Sequence, residues 1–257
     1  MLSEFASGFD AVYCVHYLPY GERRAAAEET FHRHGLMGPN FRWFYTVPNK
    51  YFDDLYAYML DRRMIFAREE RESDGEEGYI KNARVFNLAV NEYNLMSQIW
   101  HLGYERVLVL EDDLAFMKDK DLLKAYAADY PWDYDIVSME YWFRRDRDYG
   151  WATSRNRKVN DHFFFLAHER LVDFACVGLS RKGVRHWLDG MEQKFMNSDY
   201  YIANQGTFDD WRLRRCVSKV PMCVQAPSAD SNHSSSAAAM KWKYDKIGLD
   251  LSAYEGY

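Results

Sequence analysis

The chain has 257 residues, 48% apolar and 28% charged, enough to bury a substantial core in one large domain or two small ones, which excludes intrinsic disorder. Lys and Arg number 33 against 39 Asp and Glu, a formal charge of -6, so a protein that coats nucleic acid through a global positive field is excluded. No apolar run approaches the ~20 residues of a membrane span, and no basic segment precedes an apolar one at the start of the sequence; a cytoplasmic chain is expected, with peripheral contact at an inner membrane face left open.

Residues 11–17 read as a short strand of β-branched and aromatic residues, and 22–34, closed by Gly35, as a helix with a glycine stop. Residues 41–47 suit a second strand. An aromatic helix follows, with Phe52, Leu55, Met59 and Phe66 near one face. The charged, glycine-punctuated run 68–78 reads as a surface loop. Residues 82–102 form a long helix whose stripe of Val85, Leu88, Leu95, Met96 and Ile99 is interrupted by Glu92. Residues 106–110 are almost unbroken apolar, the pattern of a strand buried on both faces of a parallel sheet, and they end abruptly in Glu111, Asp112 and Asp113. A helix over 121–130 and a strand over 135–139 repeat the alternation. Residues 141–161, rich in Arg, Tyr and Trp without a period, form a long loop. A strand at 175–179, a helix at 181–190 and an extended segment at 216–225 complete the unit, which spans 1–236. The remainder, 237–257, is a tail with Trp242 and Tyr244 among lysines. The alternation predicts an α/β sandwich with a mostly parallel central sheet. Cys14, Cys176, Cys216 and Cys223 form no CxxC pair and read as reduced, buried thiols.

The strongest chemical signal is VLVLEDDLAF. Three carboxylates at the end of a buried strand place like charges where desolvation already disfavours them, so a cation is needed nearby. In extended backbone, residues two apart share a face, which converges Glu111 and Asp113 and turns Asp112 away. Hard oxygen ligands suit Mg2+ or Mn2+ with a diphosphate completing the shell, and the carboxyl ends of strands are where open α/β sheets bind ligands. The competing reading has the triplet simply cap the strand, with Asp112 or Asp113 as the N-cap of a following turn. Arg23 and Arg24 stand in the first turn of the first helix, where positive charge opposes the dipole and an anion would relieve it; the alternative is a solvated pair balanced by Glu22, Glu28 and Glu29. Neither GxGxxG nor GxxxxGKS occurs, which disfavours a Rossmann dehydrogenase or a P-loop enzyme.

In order, AVYCVHYLPYGERRAAAEETFHRHGL, ARVFNLAVNEYNLMSQIWHLGYERVLVLEDDLAF, CVGLSRKGVRHWL, QGTFDDWRL and VPMCVQAPSADSNHSS resemble glycosyltransferase family 25, which includes lipopolysaccharide galactosyltransferases. The resemblance covers most of residues 10–236. It implies a GT-A-type nucleotide-binding α/β/α sandwich that holds a UDP-sugar with Mn2+ or Mg2+ and moves a hexose, galactose or glucose, to a glycan acceptor with inversion. Asp113 then holds the metal, Glu111 meets the ribose, Asp112 supports them, and Arg23 and Arg24 face the donor phosphates. His233 is a candidate third metal ligand, with a solvated loop histidine as the alternative. Asp209 and Asp210 match the downstream aspartate segment and are the candidate general bases, with helix capping as the alternative. The arginine-rich segment offers Trp142, Arg144, Arg145 and Arg147 to an anionic acceptor such as a lipopolysaccharide. Where the family carries Gly, Cys and then Ser-His on the long helix, this chain has Asn87, Leu88, Asn91 and Glu92. Glu92 is therefore either an acceptor contact or a paired structural carboxylate. Two other functions use the same residues: a sugar or nucleotide binding module without turnover, and a metal-dependent phosphoesterase.

Overall fold

The computed structural model describes residues 2–18, 20–46, 53–61, 83–143, 158–166, 171–172, 175–193, 213–226, 237–245 and 247–257. In chain order these form α1 (Ser3–Ser7), β1 (Ala11–Tyr17), α2 (Gly21–His34), β2 (Phe41–Thr46), α3 (Asp53–Asp61), α4 (Ala83–Leu102), β3 (Arg106–Glu111), β4 (Leu114–Phe116), α5 (Lys120–Ala128), β5 (Ile136–Ser138), β6 (Trp142–Phe143), β7 (Phe163–Leu166), β8 (Leu171–Val172), β9 (Cys176–Ser180), α6 (Arg181–Gln193), β10 (Arg215–Ser218), β11 (Cys223–Gln225) and α7 (Ala237–Asp245).

Seven strands make the main sheet in the order β2-β1-β3-β9-β5-β10-β7. β1 pairs parallel with β2 and β3, and β5 with β10, while β9 runs antiparallel between β3 and β5 and β7 closes the edge antiparallel to β10. The sheet is thus mixed and mostly parallel, as the alternating pattern predicts. Five carboxyl ends, those of β1, β2, β3, β5 and β10, lie along one rim. The central strands are buried on both faces: Val12, Cys14, Val107, Leu108, Val109 and Leu110 have almost no exposed surface.

Local chemistry sets the boundaries. Gly35 ends α2 in the left-handed region at φ 76°, and its amide and that of Leu36 donate back to His32 and Phe31, a conformation that costs glycine least. Asp119 caps α5, its carboxylate accepting from the amides of Asp121 and Leu122. Leu95, Met96 and Ile99 of α4 are buried as the stripe predicts. Leu88 is instead on the outer side, because the helix turns Phe86, Ala89 and Glu92 inward around the same core.

The structure departs from the expected layout in several places, among them strand β6 at the start of the expected loop over 141–161 and the unexpected β4, β7 and β8. The single extended segment over 216–225 is two strands, β10 and β11, because the chain turns at Lys219–Met222 and the Met222 amide donates to Met139 O at 2.8 Å. β11 then pairs antiparallel with β4, which comes directly after the acidic turn. The tail is structured: Tyr244 and Tyr254 are fully buried in the main core, and the Glu255 carboxylate meets Arg33 and His34 at 3.0 and 3.1 Å.

Close packing of α6 on the sheet gives a stability test. A β-carbon on Gly183 would stand 2.3 Å from the Asp135 carbonyl oxygen, and backbone cannot swing aside as a side chain can. Gly183→Ala is expected to destabilise the fold by about 1–3 kcal/mol, measured as a shift in the urea midpoint at constant slope; an unshifted midpoint would show that α6 is not seated this closely.

Candidate functional site

The carboxyl ends of β1 and β3 are adjacent, with Val15 opposite Glu111. Beyond Glu111 the backbone leaves the extended conformation and turns at Asp112–Asp113. The expected strand alternation therefore stops at Glu111, and Asp112 and Asp113 are brought together at the turn. The turn leads into β4 rather than into a helix.

Arg23 comes from the first turn of α2 and bridges the two aspartates. Its Nη2 donates to Asp112 Oδ1 and lies 3.0 Å from Asp113 Oδ2. His16, near the end of β1, donates from Nδ1 to Asp112 Oδ2 at 2.5 Å. His16 is 1% exposed, and the side chains of Asp112, Asp113 and Arg23 are 4%, 10% and 17% exposed. Burial alone would lower the Arg23 pKa, but Asp113, Asp112 and Glu111 overcome it and push it upward. Arg23 stays charged, as a guanidinium must to compensate buried carboxylates. The same field acts on Cys14 of β1, whose thiol is held well above its ordinary range by burial and then by Asp112, Asp113 and Glu111.

Arg24 goes elsewhere. Successive helical residues point about 100° apart, and Arg24 donates to Glu28 Oε1 at 2.9 Å while its guanidinium lies 5.2 and 5.4 Å from the ring centroids of Trp43 and Tyr45 on β2. Those rings stack on each other and meet His16 edge-on. Arg23 thus serves the acidic turn and Arg24 the aromatic face beside it.

Glu111 joins a second group. Its Oε2 accepts from Gln225 Nε2 at 2.8 Å, and Gln225 Oε1 accepts from Lys243 Nζ at 3.0 Å. Lys243 also donates to Glu140 Oε1 at 3.1 Å, where the Tyr244 hydroxyl donates too. Glu140 lies just past the end of β5, the same rim as the acidic turn, and is 0% exposed. The Tyr257 hydroxyl donates to Gln225 O at 2.5 Å, and burial pushes its pKa up to about 12. On this rim Arg23 pairs with Asp112 and Asp113, and Lys243 pairs with Glu140.

No group of three His, Cys, Asp or Glu side chains that could hold a metal occurs among the described residues. A cage made wholly by the described residues is therefore ruled out. Mg2+ and Mn2+, which take one or two carboxylates and complete their shell with water and substrate phosphates, are compatible with Asp113.

Of the other sequence candidates, Glu92 is buried on α4 at 5% exposure, one residue from Asn91, which bonds back to Asn87 O at 2.8 Å. Trp142 lies on β6, paired with Val172 of β8. Asp209, Asp210, His233, Arg144, Arg145 and Arg147 lie outside the described residues. Sequence reasoning missed His16, Gln225 as a partner of Glu111, Glu140 and Lys243. A signal existed for two of them: His16 and Glu140 both sit at carboxyl ends of parallel strands, the rim already singled out for Glu111.

No family model matches the chain, and no curated protein matches it. Among solved structures it is similar to the glycosyltransferase GlyE of Streptococcus pneumoniae, at 12% identity and a TM-score of 0.41, over 95% of this chain and 61% of that one. It therefore spans about three-fifths of that protein's length. It is also similar to mannose-1-phosphate geranyltransferase from Thermus thermophilus, at 14% identity and a TM-score of 0.39 over 81% and 72% of the two chains, and to mouse xyloside xylosyltransferase 1, at 10% identity and a TM-score of 0.31 over 77% and 82%. No helix among the described residues is long and apolar enough to cross a membrane.

The division between the two arginines is testable by denaturation. Arg23→Ala removes the guanidinium that bridges two buried carboxylates and is expected to cost about 3 kcal/mol, whereas Arg24→Ala, at an exposed helical pair, is expected to stay within roughly 0.5 kcal/mol of the parent. Equal effects in urea titrations would contradict the assignment of Arg23 to the acidic turn.

Proposed function

We propose that the chain is a glycosyltransferase of GT-A type that takes a hexose from a UDP-sugar and delivers it, with inversion, to a glycan acceptor such as a lipopolysaccharide. The observation that supports this most directly is the bridge from Arg23 to Asp112 and Asp113 at the rim where parallel strands end, because open α/β sheets bind ligands there. The ordered motifs of the sequence support the sugar-transfer chemistry.

In this reading Asp113, together with the donor diphosphate, holds Mn2+ or Mg2+, which when bound supplies positive charge against the departing phosphates. Arg23 holds both aspartates side by side, and Asp112, fixed between Arg23 and His16, supports Asp113. Glu111 accepts from the ribose. Arg24, beside Trp43 and Tyr45, offers the donor a cationic and aromatic flank. His233 is a further candidate ligand. Asp209 or Asp210 takes the proton from the acceptor hydroxyl, and Glu92, Trp142, Arg144, Arg145 and Arg147 serve the acceptor.

Calorimetry with UDP tests the donor half. The -6 protein and its acidic rim repel a bare diphosphate, so binding is expected to be weak with chelator and strong with manganese, and Asp113→Ala is expected to lose the manganese-dependent part. Equal affinity under both conditions would overturn the proposal. Hydrolysis of a UDP-hexose separates an enzyme from a binding module, and cleavage of simple phosphodiesters without an acceptor would instead indicate a phosphoesterase.

The base assignment is read from turnover. One of Asp209→Asn and Asp210→Asn is expected to lose about a hundredfold to ten-thousandfold in transfer rate with UDP affinity nearly unchanged. Two active variants with lowered melting temperatures would mark both aspartates as helix caps.

A further inference from the structure

A continuous row of side chains runs from the end of β3 to α7. Glu111, Gln225, Lys243 and Glu140 are joined by the bonds of 2.8, 3.0 and 3.1 Å described above. The Gln225 backbone is held as firmly as its side chain. Its amide donates to the Tyr244 hydroxyl at 2.9 Å, and its carbonyl accepts from Tyr257 at 2.5 Å. Lys243, Tyr244 and Tyr257 all belong to residues 237–257.

Chemistry determines which way the Gln225 amide points. An ammonium is donor-only and an ionised carboxylate is acceptor-only. With Lys243 on one side and Glu111 on the other, only one orientation makes two attractive contacts, carbonyl toward lysine and NH2 toward glutamate. The reverse orientation sets NH2 against ammonium and oxygen against carboxylate. Lys243 therefore governs Glu111 without touching it, through the amide between them. The buried pair of Lys243 and Glu140 gives a poor return in stability, since desolvation offsets its attraction. It does hold an ammonium at a defined point against Gln225.

We propose that Lys243 is a positioning residue for the nucleotide site: through Gln225 it orients Glu111, so that the site is complete only when α7 and the residues through Tyr257 are docked. This rests on the reading of Glu111 as the ribose contact of a UDP-sugar. Docking has its own anchors, with the Tyr254 hydroxyl donating to Pro221 O at 2.6 Å, Lys118 Nζ to Ser252 O at 2.8 Å, and Glu255 between Arg33 and His34. The C-terminal segment is in this view a part of the ligand site rather than an appendage.

The test is titration of the full chain with UDP in the presence of manganese, with melting temperatures measured on the same samples. Lys243→Met alone removes the ammonium beside the buried Glu140 carboxylate, so E140Q/K243M is used to keep the cluster neutral. Gln225→Met removes the amide and leaves the ion pair intact. Each is expected to weaken UDP binding about tenfold, the loss of one hydrogen bond to a charged group. The triple variant E140Q/K243M/Q225M is expected to lose no more than either, because both changes break one path. A purely structural row would lower the melting temperature and leave affinity alone. If the parent binds UDP and E140Q/K243M binds it equally well, the inference is overturned and the reading of the site stands; losses that multiply to about a hundredfold overturn the relay. Should E140Q/K243M fail to fold, Q225M decides alone, its unchanged affinity counting against the proposal. A parent chain that binds no UDP, with or without manganese, overturns the site reading and this inference with it.

Discussion

Charge compensation at the end of β3 governs the arrangement of the whole rim. Three carboxylates in succession leave a strand buried on both faces, and an uncompensated carboxylate in such a place protonates or unfolds its surroundings. Arg23 answers for Asp112 and Asp113 together, and an arginine can do so because its guanidinium does not give up its proton at any physiological pH. For Arg23 to arrive there, β1 must lie beside β3 and α2 must begin immediately after β1. The parallel pairing of β1 with β3 and the short turn into α2 meet both conditions. His16 then fills the gap between Asp112 and the aromatic face of β2.

The remaining acidic groups are managed from the far end of the chain. Glu111 and Glu140 stand at the ends of β3 and β5, and both are reached through Gln225 and Lys243. β11 brings Gln225 to the rim by pairing with β4, and the Ala226 amide secures the junction by donating to Asp113 O at 2.6 Å. The same turn that carries the aspartates is thus tied to the segment that carries the glutamine. Residues far apart in sequence share one electrostatic problem, and Arg23 and Lys243 answer it from different parts of the chain.

Much of this was legible beforehand, for physical reasons that differ by element. β1, α2 and the strand leading into Glu111 have strong local patterns, and the glycine after His34 marks a left-handed stop that few other residues accept. The need for a cation near the acidic triplet follows from electrostatics alone, and Arg23 in the first turn of α2 was already a candidate. Its separation from Arg24 was also available, since neighbours on a helix point apart. β4, β7 and the split of β10 from β11 were not legible, because each exists through pairing with a distant strand and carries too few residues for a period. Extrapolating strand alternation through Asp112 failed because the backbone turns there. Lys243 lay in the expected tail among other lysines, and nothing local distinguishes a lysine that will be buried against Glu140 from one that stays in water.

The fold by itself does not assign an activity, and the roles given to these residues depend on where a nucleotide diphosphate sits. A crystal structure of the chain grown with UDP and manganese addresses that directly. The diphosphate is expected at the rim formed by β1 and β3, with the metal on Asp113 and the ribose hydroxyls on Glu111. Nucleotide bound away from that rim, or a rim empty while both ligands are present in excess, would contradict it.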